Sequence, residues 1–128
     1  MNRQQVIDEI KETLGKVPGF IQSLPDETLE HEWGLFRRFE MDETSIPNKY
    51  KQLMGITAAA TLHCWYCAQF HKAMAEMEGA TEEEIQEANH LVKFTVGWST
   101  YLNGMIYDKE KYMKELKSIG EYVAAHAA

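Results

Sequence analysis

Apolar residues recur at intervals of three and four along most of the chain, and no stretch alternates apolar with polar residues as a half-buried strand does. Val6, Ile7, Ile10 and Leu14 line one face of a predicted helix over about residues 4–14, which Gly15 and Pro18 close. Ser23 and Asp26, with Pro25 inside the first turn, open a second predicted helix of about sixteen residues. Its Leu29, Trp33, Phe36 and Met41 keep helical spacing and are expected to pack in a core. A polar turn over 42–47 follows, where Ser45 is placed to cap a third helix from about Pro47 to Leu62. A fourth helix follows directly and ends near Glu78, with Gly79 as its stop. Thr81 and Glu84 form a capping box, and Glu82, Glu83 and Glu84 suit the positive end of a fifth helix. That helix continues through Ile85, Ala88, Leu91, Val92 and Val96, with Gly97 and Gly104 as bends. A last helix from about Asp108 carries Tyr112, Leu116, Ile119 and Val123 on one stripe and the pairs Glu110–Lys114 and Lys111–Glu115 on its polar face. The pattern predicts a single all-α domain spanning residues 1–128, of about six helices.

Charge narrows the partners of such a domain. Asp and Glu outnumber Lys and Arg by 20 to 13 in 128 residues, a formal charge of −7. A phosphate backbone needs clustered Lys and Arg, so no nucleic-acid partner is expected. The segment Met1–Lys11 is polar and lacks the apolar stretch of a signal peptide. The most apolar run, Met54–Leu62, is about half of a bilayer-spanning length. A cytoplasmic protein with no membrane partner is the expectation.

The two cysteines are Cys64 and Cys67. They are too few for a secreted disulfide scaffold, and their CxxC spacing is one that redox and metal chemistry use. On a helix they lie one turn apart on one face, and His71 lies one turn further along it. Side chains so spaced are within disulfide reach, and an imidazole there can take a thiol proton to give the reactive thiolate. With Thr61 as cap, Cys64 falls in the first helical turn, where free backbone N–H groups also favour a thiolate. Two thiols and a base suffice for dithiol–disulfide exchange, or for reducing a peroxide through a sulfenic acid. A metal-binding or interaction module is the competing reading, with Cys64, Cys67, His71 and His63 as ligands. Ligands drawn from one helix rarely close a tetrahedron, and no second CxxC is present. A thioredoxin-like motif would need a βαβ context that the pattern does not contain.

The run Lys49–Leu53 and the segment Thr57–His71, which contains His63-Cys64-Trp65-Tyr66-Cys67-Ala68-Gln69-Phe70-His71, resemble the carboxymuconolactone decarboxylase and alkylhydroperoxidase D (AhpD)-like superfamily. CxxCxxxH places the resemblance on the alkylhydroperoxidase side, and it extends through the Ala80–Ile85 helix start. It implies an AhpD-like helical fold that forms homo-oligomers, commonly trimers or hexamers, and a thiol-dependent peroxidase or disulfide reductase activity without a cofactor. It further implies that Cys67 is the attacking thiol, His71 its base and Cys64 the resolving thiol. A small peroxide or disulfide would be the substrate, and a lipoyl group or thioredoxin-like protein the dithiol donor. A decarboxylase-like member with altered chemistry is the other reading within the family.

Two positions depart from the family pattern. Gln52 stands where a glutamate is usual, and Tyr66 where the enzyme has a histidine. Glutamine orients an imidazole without giving it a charge, and His63 is a candidate to compensate. On one continuous helix Gln52 and Cys64 would be about 18 Å apart, so a relay through Gln52 requires a turn near Thr61–His63. Neither Gly nor Pro marks such a turn. Trp65 and Phe70 are expected to pack, and Trp98, Tyr101 and Met105 to line either the site or an oligomer interface.

Overall fold

The computed structural model describes residues 1–127, and all regular structure among them is helical. Seven α-helices follow in order: α1 (Arg3–Leu14), α2 (Gly19–Gln22), α3 (Asp26–Phe36), α4 (Asn48–Leu62), α5 (Trp65–Met77), α6 (Glu82–Gly104) and α7 (Lys109–Ala125). The chain divides into two compact units, Met1–Ala88 and the segment from Asn89 onward.

Within the first unit, α1 starts at a reciprocal capping box between Asn2 and Gln5 and stops at Gly15, whose φ of 76° is the left-handed conformation glycine adopts freely. Val6, Ile10, Ile21, Leu29 and Trp33 are buried together, and Phe36 and Met41 pack around them. The short α2 adds one turn that the periodicity did not announce, because four residues are too few to show it. Pro25, expected inside the first turn, is instead the N-cap of α3, so the helix starts two positions later than a cap at Ser23 would set it. After Phe36 the helix widens into a π-helical turn, Arg37–Met41, closed by the Asp42 N–H on Arg37 O at 2.7 Å. Asn48 Nδ2 donates to Met41 O and Lys51 Nζ to Asp42 O, both at 2.9 Å, which pins this turn to α4. Pro47, rather than Ser45, holds the N-cap position of α4.

Helices α4 and α5 form a hairpin. His63 turns the chain with φ 55°, ψ 40°, a left-handed conformation that His tolerates better than most residues. The Cys64 N–H reaches Ala59 O at 3.0 Å and the His63 N–H reaches Ala60 O at 3.2 Å, satisfying the carbonyls at the helix end. Ile56, Ala75, Ala80 and Ile85 make the second buried cluster of this unit. Gly79 (φ 86°) ends the passage out of α5 as expected, and Thr81 and Glu84 exchange hydrogen bonds at 3.0 and 3.1 Å at the start of α6. Lys49 pairs with Glu84 at 3.0 Å. The Thr81 N–H and this ammonium hold the Glu84 carboxyl below its ordinary range, while Glu84 holds the Lys49 ammonium above its own.

In the second unit α6 runs through Gly97 without interruption and ends at Gly104. Asp108 caps α7, accepting from the Lys111 N–H at 2.7 Å. Glu115 accepts a hydrogen bond from the Tyr107 hydroxyl, which raises that phenol above its ordinary range, and Lys111 lies over the Tyr107 ring. Tyr112, Leu116, Ile119 and Val123 form the expected stripe, yet all four are exposed in the single chain, as are Trp98, Tyr101 and Met105. No helix among the described residues is long and apolar enough to cross a membrane.

Candidate functional site

The site begins where α4 gives way to α5. Thr61 lies inside α4, its hydroxyl donating to Thr57 O at 2.9 Å, so it does not cap the next helix. Cys64 itself is the N-cap of α5, with extended φ and ψ, and its Sγ accepts the Cys67 N–H at 3.1 Å. The left-handed turn at His63 forces this outcome, because Cys64 must leave that turn before the helix can restart. Cys64 and Cys67 are joined in a disulfide with their Cα atoms 5.3 Å apart, and both are half-buried.

His71 follows Cys67 by one helical turn and is also half-buried. The hairpin folds it back onto α4, where Gln52 Oε1 lies 2.8 Å from its Nδ1. Gln52 is fully buried at 0% exposure. Its Nε2 donates to Glu40 Oε2 at 2.9 Å and to Glu40 O at 3.3 Å. Glu40, from the π-helical turn, brings its carboxylate to 3.9 Å from His71 Nδ1. The imidazole rests against the backbone of Gly55, where a Cβ would come within 2.4 Å of Nδ1. Phe70 meets the imidazole edge-on at 5.2 Å, and Phe36 packs against Phe70 at 5.7 Å.

Of the residues singled out from sequence, Cys64 and Cys67 come together, and the expected turn brings Gln52 to His71. Tyr66 is 78% exposed and meets Trp65 edge-on, and His63 is exposed at the turn it makes. Trp65 is exposed as well, against the expectation that it packs. Glu40 and Gly55 were not anticipated. A glycine inside a helical pattern is a signal of close approach and would have pointed to Gly55. Nothing in the sequence marks Glu40, whose role depends on the π-helical turn and on tertiary contact. Among the described residues, no group of three or more His, Cys, Asp or Glu side chains is arranged to hold a metal ion.

An all-helical fold with a CxxC pair at the head of one helix and a histidine one turn further on defines a candidate dithiol–disulfide site. The chain belongs to the carboxymuconolactone decarboxylase family, whose sequence profile matches residues 25–110. Its fold is that of the alkylhydroperoxidase AhpD core from Rhodospirillum rubrum, with a TM-score of 0.72 and 19% identity over 86% of this chain and 85% of that one. No curated protein matches the chain. The family and the fold set it in the carboxymuconolactone decarboxylase/AhpD-like superfamily.

Proposed function

We propose that this chain is an enzyme, a thiol-dependent oxidoreductase that reduces a small peroxide or a disulfide with the Cys64–Cys67 pair. The observation that carries this reading is a disulfide at the head of α5 with an oriented histidine one turn beyond it. In the reduced protein His71 takes the Cys67 proton, and the thiolate attacks the distal oxygen of the peroxide. The O–O bond breaks, the leaving alkoxide takes the proton back from His71, and Cys67 becomes a sulfenic acid. The Cys64 thiol attacks that sulfur, water leaves, and the disulfide forms. A dithiol donor, such as a lipoyl group or a thioredoxin-like protein, then supplies two electrons and two protons and becomes a disulfide itself. The cytoplasm, which keeps thiols reduced, suits this cycle.

The N-cap position of Cys64 favours a second reading in which the thiols exchange roles. A Cys67 N–H directed at Cys64 Sγ stabilises a thiolate on Cys64. One experiment separates the two. Reduced protein treated with an alkyl hydroperoxide should lose two thiols per peroxide consumed. In Cys64→Ser a sulfenic acid trapped by dimedone on Cys67 supports the first assignment, and one trapped on Cys64 in Cys67→Ser supports the reverse. Reduced wild type that consumes neither a peroxide nor a small disulfide overturns the function.

A further inference from the structure

We propose that Glu40 is a positioning residue that acts through Gln52 to hold His71 in the tautomer with its proton on Nδ1, leaving Nε2 free to take the thiol proton. This rests on the reading above, in which His71 is the base.

Gln52 is where the inference starts. A buried amide must satisfy two chemically opposite ends, an NH₂ that only donates and an oxygen that only accepts. Rotating the amide by half a turn exchanges those ends with almost no change in shape. Its neighbours therefore decide which end faces the imidazole. Glu40 offers two oxygens on the same side, carboxylate Oε2 at 2.9 Å and its own carbonyl at 3.3 Å from Nε2. Neither oxygen can donate, so both require the NH₂ end. Oε1 is thereby turned toward His71 Nδ1 at 2.8 Å, and an oxygen acceptor there requires Nδ1 to carry the proton. The other ring nitrogen, Nε2, then holds the lone pair.

The surroundings make this arrangement specific. Gly55 lets the ring lie against the α4 backbone, and Phe70 meets the ring edge-on. Glu40 reaches Gln52 because the π-helical turn adds a residue to the end of α3, and the Asn48 and Lys51 side chains tie that turn to α4. π-Helical turns recur at functional sites for this reason: the extra residue re-aims a side chain. The negative charge that position 52 does not supply thus enters from a different element, 3.9 Å from the ring.

The test uses the full-length protein in its reduced form. Nitrogen-15 shifts of the His71 imidazole report the tautomer, and alkylation of the active thiol by iodoacetamide at neutral pH reports its activation. Wild type should show the Nδ1–H tautomer, and Glu40→Gln a mixture, because a second amide can present either end to Gln52. Its alkylation should slow by roughly tenfold. The exchange variant Glu40→Gln with Gln52→Glu places a carboxylate directly on Nδ1 and should restore both readouts. A role limited to holding the fold would not be rescued this way. An Nε2–H tautomer in wild type overturns the proposal even where Glu40→Gln fails to fold. So does a wild-type tautomer and rate in Glu40→Gln while His71→Ala is slowed. If His71→Ala alkylates like wild type, the base assignment of the preceding section fails instead.

Discussion

Gly55 governs the site without reacting. A β-carbon there would lie 2.4–2.5 Å from three atoms of the His71 ring, far inside contact distance. Gly55→Ala gains about 1 kcal/mol of helix propensity in α4, against about 1–3 kcal/mol of overpacking. Thermal stability should therefore change by only a few degrees, while the ring is pushed off its 2.8 Å contact with Gln52. Thiol alkylation in Gly55→Ala should fall to the rate of His71→Ala, and a wild-type rate would show that the ring's seat is not needed. Gln52 and His71 belong to the same scale. Their residue types were legible as a candidate pair, but the amide's orientation was not. It depends on the acceptors of Glu40, which is distant in sequence and carries no local signature.

The α4–α5 hairpin is the element on which everything at the site depends. Its apolar periodicity and the run of cysteines and histidine announced two helices, and the need to bring Gln52 to His71 announced the turn. Composition did not show how that turn is made, because the left-handed position usually filled by glycine is occupied by His63. Left-handed backbone costs an ordinary residue roughly 1–2 kcal/mol, less for His. His63→Gly should therefore raise stability by up to about 1 kcal/mol, and the β-branched His63→Val should lower it. Urea unfolding of the reduced proteins measures both, and a destabilised glycine variant would show that the His63 side chain contributes more than its backbone costs. The turn also explains why Cys64 caps α5 rather than entering it. A cap at Thr61 was reasonable from sequence, but Thr61 is still part of α4.

For the whole molecule, the notable surface belongs to the second unit. Tyr112, Leu116, Ile119 and Val123 on α7 are all exposed, and Phe94, Trp98 and Tyr101 on α6 meet edge-on in succession while exposed themselves. Exposed apolar stripes of this kind mark an interaction surface more often than a solvated one. The self-association that the sequence resemblance implies is testable on this surface. Sedimentation should find an oligomer whose thermal midpoint rises with protein concentration, and Leu116→Asp should shift it toward monomer. A monomer at all concentrations would remove this reading.

Local sequence by itself determined the longer helices and several of their ends, since a 3.6-residue period and its caps are nearest-neighbour chemistry. Glycine at 15 and 79, the Thr81–Glu84 box and Asp108 all act within a few residues of themselves. It also determined that one thiol, Cys67, and the imidazole of His71 stand a helical turn apart on α5, for the same reason, while Cys64 lies just outside that helix. Tertiary structure alone decided that the Glu40 carboxylate meets Gln52, that Gly55 seats the imidazole and that Gln52 presents its oxygen to it. These are contacts between side chains and backbone from different helices. They are set by how the helices pack, and no local period or motif encodes that.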